Sequence, residues 1–577
     1  MKKKWSLKNS RKISERIFPE LERATEKLLV KKGINNRQKQ QEFLYPDYER
    51  DLHNPRLLGD MDKAVRRILQ ARKRKEKVCI FGDYDVDGIT SASILFDFFQ
   101  QIGLESFVYL PDRNKEGYGL NKQAIDYIKQ KGASLIITVD SGITSLDEVK
   151  YAQKKGLETI ITDHHLPLEK IPSALAVINP KKKKDPYPEK MLAGVGVAFK
   201  LIQALATEIK DYNQEQLKWL LDLVALGSVA DCVPLLGENR TLTKFGLIVL
   251  AKTRRTGLKQ LFQVGRINIG ADNLPTGEQI SYQIAPRLNA AGRMDHASLA
   301  YELLKCSAKE SARARLLALE IEEQNQQRQK TTSAIIKEIE NKLDKNNLPA
   351  VIIDSSPHWS LGVVGLVAGR LAEKYHRPVI LFQEQNEYLK GSCRSVSGFN
   401  LVENLKQLAH LLEKFGGHAQ AAGLTILREN LPTFRQKFAK IVSQANLSLT
   451  EKEVIIDEEL ALSEINEKLL KELSLFEPFG IGNEKPLFLS HKVKIEQIKY
   501  LGKQEQHLKI WVSQNNKQQQ ILPLIMFNFS EQLPSQEINS LKPGEKIDIV
   551  YALQKNFWNG QVSIEGQLVD LRKANNK

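Results

Sequence analysis

Residues Phe81–Thr90 read FGDYDVDGIT and place three aspartates, Asp83, Asp85 and Asp87, at alternate positions. On a helix, side chains at i and i+2 point roughly 200° apart, so these carboxylates can converge only where a strand ends. The apolar run Val78–Phe81 predicts that strand, and Gly88 is expected to let the chain turn into the following helix. Strand C-termini in a parallel sheet form the ligand crevice. Three carboxylates gathered there repel one another unless a cation sits among them. Taken alone, the segment fits an acidic surface turn equally well.

The pattern recurs. The strand Ser134–Val139 runs into Asp140-Ser141-Gly142, and the strand Leu157–Thr162 runs into Asp163-His164-His165. A helix ending near Val229 delivers Asp231. Carboxylates and imidazoles without cysteine suit Mn²⁺ or Mg²⁺ better than structural zinc. The ligands suffice for two ions sharing one carboxylate. Such a pair activates a bridging water and stabilises the leaving oxygen in phosphoester hydrolysis.

The elements that would position these residues alternate from Lys77 to Val177: apolar strands separated by helices at Thr90–Gln101, Asn121–Lys131 and Asp147–Lys155. This predicts a parallel sheet covered on both faces. Helices follow at Val195–Thr207 and Gln214–Ala230. A charged helix over Arg313–Leu343 lacks an apolar face through Glu322–Lys330 and suits a connector between lobes. Ala350–Ile353, Gly362–Glu373 and Pro378–Phe382 predict a smaller α/β unit. Beyond Val454, about five short strands suggest an oligonucleotide-binding (OB) type barrel, with a small sandwich as the alternative. Lys499, Tyr500, Lys509, Trp511, Lys555, Phe557 and Trp558 are its candidate strand-binding residues, although Trp511 and Phe557 fit a barrel core as well.

Across 577 residues the net charge is +16, with 42% hydrophobic and 27% charged residues. A disordered or fibrous chain is excluded, and a polyanionic partner, nucleic acid or an anionic membrane surface, is favoured over a merely basic background. The four cysteines form no CxxC pair, which argues against a disulfide framework and for a reducing compartment. The basic N-terminus Met1–Arg11 leads into no apolar segment, so no secretory signal is expected. No apolar run nears the ~20 residues that span a membrane. A soluble cytoplasmic protein is expected.

With GDYDVDGIT, VDSGI, DHH and VADCVPL in order, the chain resembles the DHH phosphoesterase superfamily. EGYGL at Glu116–Leu120, LAGVGVAFK at Leu192–Lys200, PRLNAAGR at Pro286–Arg293, GSCRS at Gly391–Ser395, GGHAQAAG at Gly416–Gly423 and EPFGIGN at Glu477–Asn483 resemble, within it, the RecJ family of bacterial single-stranded-DNA exonucleases. That resemblance implies a two-lobed α/β core, a parallel-sheet lobe and a smaller α/β lobe joined by a long helix, followed by an all-β OB-type barrel. It divides the chain into a helical segment 1–70, a catalytic domain 71–312, a connector 313–345, a DHH-associated subdomain 346–450 and the barrel 451–577.

The resemblance further implies that Asp85, Asp87, Asp140, His164 and Asp231 hold two Mn²⁺ or Mg²⁺ ions, with Asp140 bridging and Asp83 an added ligand or supporting group. Asp163 would orient its neighbouring histidine, His165 would contact the scissile phosphate or help the leaving group, and His418 would approach from the second lobe. Arg113, Ser392, Arg394 and Arg293 would hold the 5′ end. The implied activity is processive 5′→3′ hydrolysis of single-stranded DNA to 5′-mononucleotides, in repair and recombination. A monomer working with a helicase and a single-strand-binding protein is expected. The alternatives are a phosphodiesterase for short oligonucleotides or cyclic dinucleotides, which would usually stop after two lobes, and an inactive DNA-binding scaffold, which should have lost ligands. One departure stands out: relatives commonly read WHxG where this chain has Trp359-Ser360-Leu361-Gly362, preceded by His358.

Overall fold

The computed structural model describes residues 3–8, 16–113, 115–271, 273–344, 347–445, 452–514, 520–533, 538, 541–558 and 561–574. Two units are distinct: Asp47–Leu447 with Pro478–Asn483, and Met1–Pro46 with Ser448–Glu477 and Glu484–Lys577.

In the first unit, Val78, Cys79, Ile80 and Phe81 have no exposed surface, as a strand covered on both faces requires. They belong to β1 (Lys77–Gly82), which joins β2 (Ser106–Tyr109), β3 (Ala133–Val139), β4 (Glu158–Thr162) and β5 (Ala176–Ile178) in a sheet of order β2-β1-β3-β4-β5. All pairings are parallel. β5 escapes sequence reading because three residues carry no period. Gly82 lies opposite Val139, and Val139 opposite Thr162, so three neighbouring strands stop level with one another.

Helix α1 spans Val86–Gln101, four residues longer at its start than expected. Asp85 caps it, accepting from Asp87 N at 3.0 Å and Gly88 N at 3.1 Å. Gly88 is therefore inside the first turn and does not form the bend. Its role is close approach: a Cβ there would lie 2.5 Å from the Asp83 carbonyl oxygen. Helices α2 (Gly194–Ala206), α3 (Leu221–Ala230) and α4 (Ala285–Met294) also belong to this first lobe. A 3₁₀ segment, Gln214–Leu220, occupies the start of the helix expected at Gln214–Ala230.

The connector is α5 (Ser311–Lys342), which packs against α4 and against α6 (Leu361–Tyr375). Its buried stripe runs Ala314, Ala318, Ile321, Asn325, Arg328, Thr332, Ile335, Ile339. The face is thus continuous, but polar in the middle, and that polarity hid it from hydropathy. The second lobe holds β6 (Ile352–Ser356), β7 (Val379–Gln385), β8 (Tyr388–Arg394), β9 (Leu412–Gly417) and β10 (Ala421–Leu427), in the order β9-β10-β8-β7-β6. Only β6–β7 is parallel. The three later strands went unforeseen because glycine and polar residues break their alternation.

In the other unit, β11 (Phe488–Leu501), β12 (His507–Ser513), β13 (Ile521–Met526), β14 (Lys546–Trp558) and β15 (Gln561–Lys573) pair around a closed barrel, with β11 meeting β14. The pleat decides which residues fill it. Leu508, Ile510 and Val512 are fully buried, whereas Lys509 and Trp511, which alternate with them, are half-buried on the outer face. Lys509 pairs with Glu565 at 2.7 Å, and Lys499, Tyr500 and Lys555 are exposed. The side chains of Phe557 and Trp558 lie outside the described residues. Residues 1–70, expected as one helical segment, divide after Pro46 and begin with a strand, Lys3–Leu7, parallel to Lys452–Ile456. The pairing partner is far along the chain, so nothing local announces it. Among the described residues no helix is long and apolar enough to cross a membrane.

The α5 stripe yields a test. Ile321 is fully buried, so Ile321→Ala should cost roughly 2–5 kcal/mol in denaturant unfolding. Leu316→Ala, at a side chain 68% exposed, should stay within about 0.5 kcal/mol.

Candidate active site

Asp83, Asp140 and Asp163 each follow directly on one of the level strand ends β1, β3 and β4, and all three are buried. Asp85 and Asp87 enter from the cap and first turn of α1, and Asp231 from the C-terminal cap of α3. His164 Nε2 lies 3.1 Å from Asp140 Oδ1, 3.5 Å from Asp231 Oδ2 and 3.8 Å from Asp87 Oδ2. Three groups of ligand atoms gather within 4.8 Å: Asp83, Asp85 and Asp140; Asp140, His164 and His165; Asp87, His164 and Asp231. Asp140 belongs to two of them. Its backbone is left-handed, φ 56°, a conformation that aspartate tolerates better than most residues.

Asp83 Oδ1, Asp140 Oδ1 and both nitrogens of His164 are sealed from water with no hydrogen-bond partner. Burial, then neighbouring carboxylates, raises Asp83, Asp87 and Asp140 well above the usual carboxylate range. The same causes, with Asp85 the leading neighbour, push Asp231 up to about 7. Burial, then His165, pushes His164 down to about 3, so its imidazole is neutral and able to coordinate. Repelling carboxylates, orphaned donor atoms and a neutral imidazole together fit divalent cations of the Mn²⁺ and Mg²⁺ kind.

The surrounding residues brace these ligands. Asp87 accepts from Gly194 N at 2.7 Å and Val195 N at 2.8 Å, the first amides of α2. A Cβ on Gly194 would lie 2.6 Å from the Asp140 Cβ, so the helix end can approach only as glycine. Asp163 does not open onto the cluster. It accepts from Ile143 N at 2.9 Å, His164 N at 2.7 Å and His165 N at 3.0 Å, and holds His165 Nδ1 at 2.8 Å. It therefore positions His165. Tyr118 was missed by sequence reasoning, although it sits in the EGYGL segment. Its hydroxyl is 3.1 Å from His165 Nδ1 and 3.3 Å from the Asp140 carbonyl.

A second cluster is cationic. The Arg113 guanidinium stacks over Tyr84 at 4.9 Å. Arg394 donates to Ser392 Oγ at 3.0 Å and to Cys393 O at 2.8 Å, and Arg293 donates to Gly362 O at 3.1 Å across the lobe junction. Among the described residues none of these arginines pairs with a carboxylate. Burial, then Arg113, Arg328 and Arg394, pushes Arg293 down to about 9, and burial lowers Arg394. An uncompensated guanidinium cluster suits a phosphate.

The structure brings Asp83, Asp85, Asp87, Asp140, His164, His165 and Asp231 together, and it sets Ser392 beside Arg394. It does not bring His418 into the acid–imidazole cluster. That residue is exposed on the β9–β10 turn, its amide donating to Ala421 O at 2.8 Å. Ser360 caps α6, accepting from Gly362 N at 3.3 Å, while His358 is exposed.

Residues 77–228 match the DHH family, N-terminal domain, residues 347–444 the DHHA1 domain and residues 456–570 the RecJ OB domain. The chain is 39% identical over 562 residues to the single-stranded-DNA-specific exonuclease RecJ of Bacillus subtilis, covering 94% of this chain and 68% of that protein. It is 36% identical over 516 residues to RecJ of Escherichia coli, covering 85% and 88%. It superposes on the crystal structure of RecJ in complex with Mn²⁺ from Thermus thermophilus with a TM-score of 0.83 at 27% identity, covering 99% of this chain and 80% of that one. The Mg²⁺ complex from the same organism gives 0.77 at 26% identity, covering 99% and 79%.

The Asp163–His165 contact sets a pH dependence in the metal-free protein. Burial alone would lower His165, but the hydrogen bond and charge of Asp163 outweigh it and raise the imidazole to about 9. Stability from this contact is full below the unfolded value near 6.5 and is lost as pH rises through about 9. Chelator-treated Asp163→Asn should fall furthest short of wild type at pH 6. By pH 9.5 the gap in unfolding free energy should narrow by about 1–2 kcal/mol, the partial exposure of His165 reducing the full effect. A gap that stays constant with pH would exclude the contact.

Proposed function

The chain belongs to the RecJ family of DHH-type single-stranded-DNA-specific exonucleases, and on that footing we propose how its residues divide the reaction. Asp85, Asp87, Asp140, His164 and Asp231 would hold two divalent cations, with Asp140 shared and Asp83 an additional or supporting ligand. Four donor atoms sealed from water without a hydrogen bond, one of them on the carboxylate shared by two ligand groups, support this more strongly than any other feature. When bound, such cations lower the pKa of a water and neutralise charge developing on phosphoryl oxygens, which makes hydrolysis metal-dependent.

The chain's own groups do the rest. His165, held by Asp163 and raised to about 9, carries a proton at neutral pH. It serves as the donor to the leaving 3′ oxygen or as a contact to the scissile phosphate. Arg113, Arg394 and Ser392, with Arg293 beside them, take the strand's terminal 5′-phosphate. A 5′ end seated there puts the next phosphodiester at the acid cluster, so cleavage proceeds 5′→3′ and releases 5′-mononucleotides. The outer face of the barrel, with Lys499 and Trp511, binds the strand by phosphate attraction and base stacking, and Tyr500, exposed at the end of β11, is a further stacking candidate. His418, being exposed on its hairpin, would contact the strand and not the reacting atoms. A helicase and a single-strand-binding protein are the partners such an activity calls for. The protein would work as a monomer in the cytoplasm.

Asp140→Asn keeps a residue that tolerates the left-handed backbone but removes the shared charge. Release of mononucleotides with Mn²⁺ should fall at least ~10³-fold, while thermal unfolding stays near wild type. Near-normal turnover with trace metal excluded would refute the two-ion assignment. For polarity, a single strand blocked at its 5′ end should resist the enzyme and one blocked at its 3′ end should not. Arg394→Ala should weaken binding of a 5′-phosphorylated end by about 1.5–3 kcal/mol. Equal digestion of both blocked strands would contradict the pocket.

A further inference from the structure

Val229 and Cys232 at the end of α3, Asn289 and Arg293 of α4, Arg328 of α5 and Leu366 of α6 line a cavity of about 150 Å³. Neither of its cations makes an ion pair among the described residues, although the charge of Asp85 reaches Arg293. Arg328 is only 7% exposed; its Nη2 donates to Asn325 Oδ1 at 2.8 Å, and its Nε has no partner. Arg293 donates from Nη1 to Gly362 O and, like Arg328, pairs with no carboxylate among the described residues. Burial, then the cations Arg370 and Arg287, lowers Arg328, and Arg328 is itself among the cations that lower Arg293. Keeping a guanidinium out of water beside a like charge is costly unless an anion neutralises both.

The size of the cavity selects the anion. Pockets that bury a drug-sized ligand are about 300–1,000 Å³, so the smaller space here suits one tetrahedral oxyanion with its waters. Asn289 Oδ1 already accepts from Val86 N at 3.2 Å, so its amide Nδ2 is the donor left to a ligand. Two guanidinium forks and an amide match phosphate oxygens. Arg113, Ser392 and Arg394 do not line this cavity.

We propose that the cavity is a second phosphate subsite adjoining the pocket for the terminal 5′-phosphate, in which Arg328 holds one phosphate group together with Arg293, the residue that stands between the two. Because Arg328 stands on the connector helix, occupancy ties that helix to α4 of the first lobe. The subsite goes beyond the hydrolytic function: it would bind phosphate even in a protein that cleaves nothing. Its phosphate comes either free from solution or as the outer phosphate of a polyphosphorylated 5′ end.

The test uses the full chain without metal, melted and titrated calorimetrically with inorganic phosphate. Wild type should melt higher as phosphate is raised and should bind it saturably in the titration, and Arg394→Met should retain a saturable component. Arg328→Met should lose the component that Arg394→Met retains, its phosphate dissociation constant weakening about tenfold or more. In phosphate-free buffer the same variant should melt at or above wild type, because an unpaired buried charge is gone. A purely structural Arg328 predicts a different result, an equal loss of melting temperature at every phosphate concentration, and that result would overturn the proposal. So would an unchanged phosphate response. If Arg328→Met fails to fold, Arg328→Lys decides: it keeps the charge without the fork, and phosphate binding as tight as wild type excludes the subsite. Oligonucleotides bearing 5′-hydroxyl, monophosphate or triphosphate ends then separate the sources. A triphosphate preference that Arg328→Met abolishes points to the strand's end. Equal binding of mono- and triphosphate ends, with the phosphate-dependent melting shift intact, points to free phosphate.

Discussion

Mutual repulsion among buried carboxylates governs the catalytic unit. Asp83, Asp87 and Asp140 are nearly inaccessible to water, and Asp85 and Asp231 are half-buried beside them. Parallel strands stopping in register force this crowding, since each delivers an acid to the same level. The fold offsets part of the charge with dipoles and leaves the rest for cations. The first amides of α2 meet Asp87, and the backbone and His165 occupy Asp163. Nothing comparable meets Asp83 Oδ1 or Asp140 Oδ1. The unbraced oxygens are therefore the ones that match metal ligands.

The arginines obey the same constraint with the opposite sign. Arg113, Arg293, Arg328 and Arg394 come from different elements of the two lobes and the connector, and Arg293 feels the charge of the other three. The acid cluster calls for cations and the arginine cluster for anions. A phosphodiester strand with its metal ions supplies both, so substrate and cofactor complete electrostatics that the free chain leaves open. The polar middle of α5 belongs to this arrangement. Asn325, Arg328 and Thr332 occupy positions that an ordinary connector would fill with leucine or isoleucine.

Much of this was legible in the residues. Acids directly after apolar runs, the DHH triplet and Asp231 locate the acid–imidazole cluster, because a strand's end and its following residue are set locally. The barrel strands were legible through their alternation. Gly88 was misread as a bend because a glycine after acids looks like a turn, whereas close approach to the Asp83 backbone is what excludes a side chain there. Trp511 could not be placed until the pleat put Ile510 and Val512 inside.

The sequence by itself determined which side chains carry chemistry and roughly where each element begins, since propensity, alternation and charge act over a few residues. Only the tertiary structure decided which of them meet. Strand register levelled Asp83, Asp140 and Asp163. The approach of α2 braced Asp87, and packing of the connector turned Arg328 inward. The same packing logic left His418 on an exposed turn and paired Lys3–Leu7 with Lys452–Ile456. These outcomes depend on contacts between residues tens to hundreds of positions apart, and burial and pairing at that range leave no periodic trace in the chain.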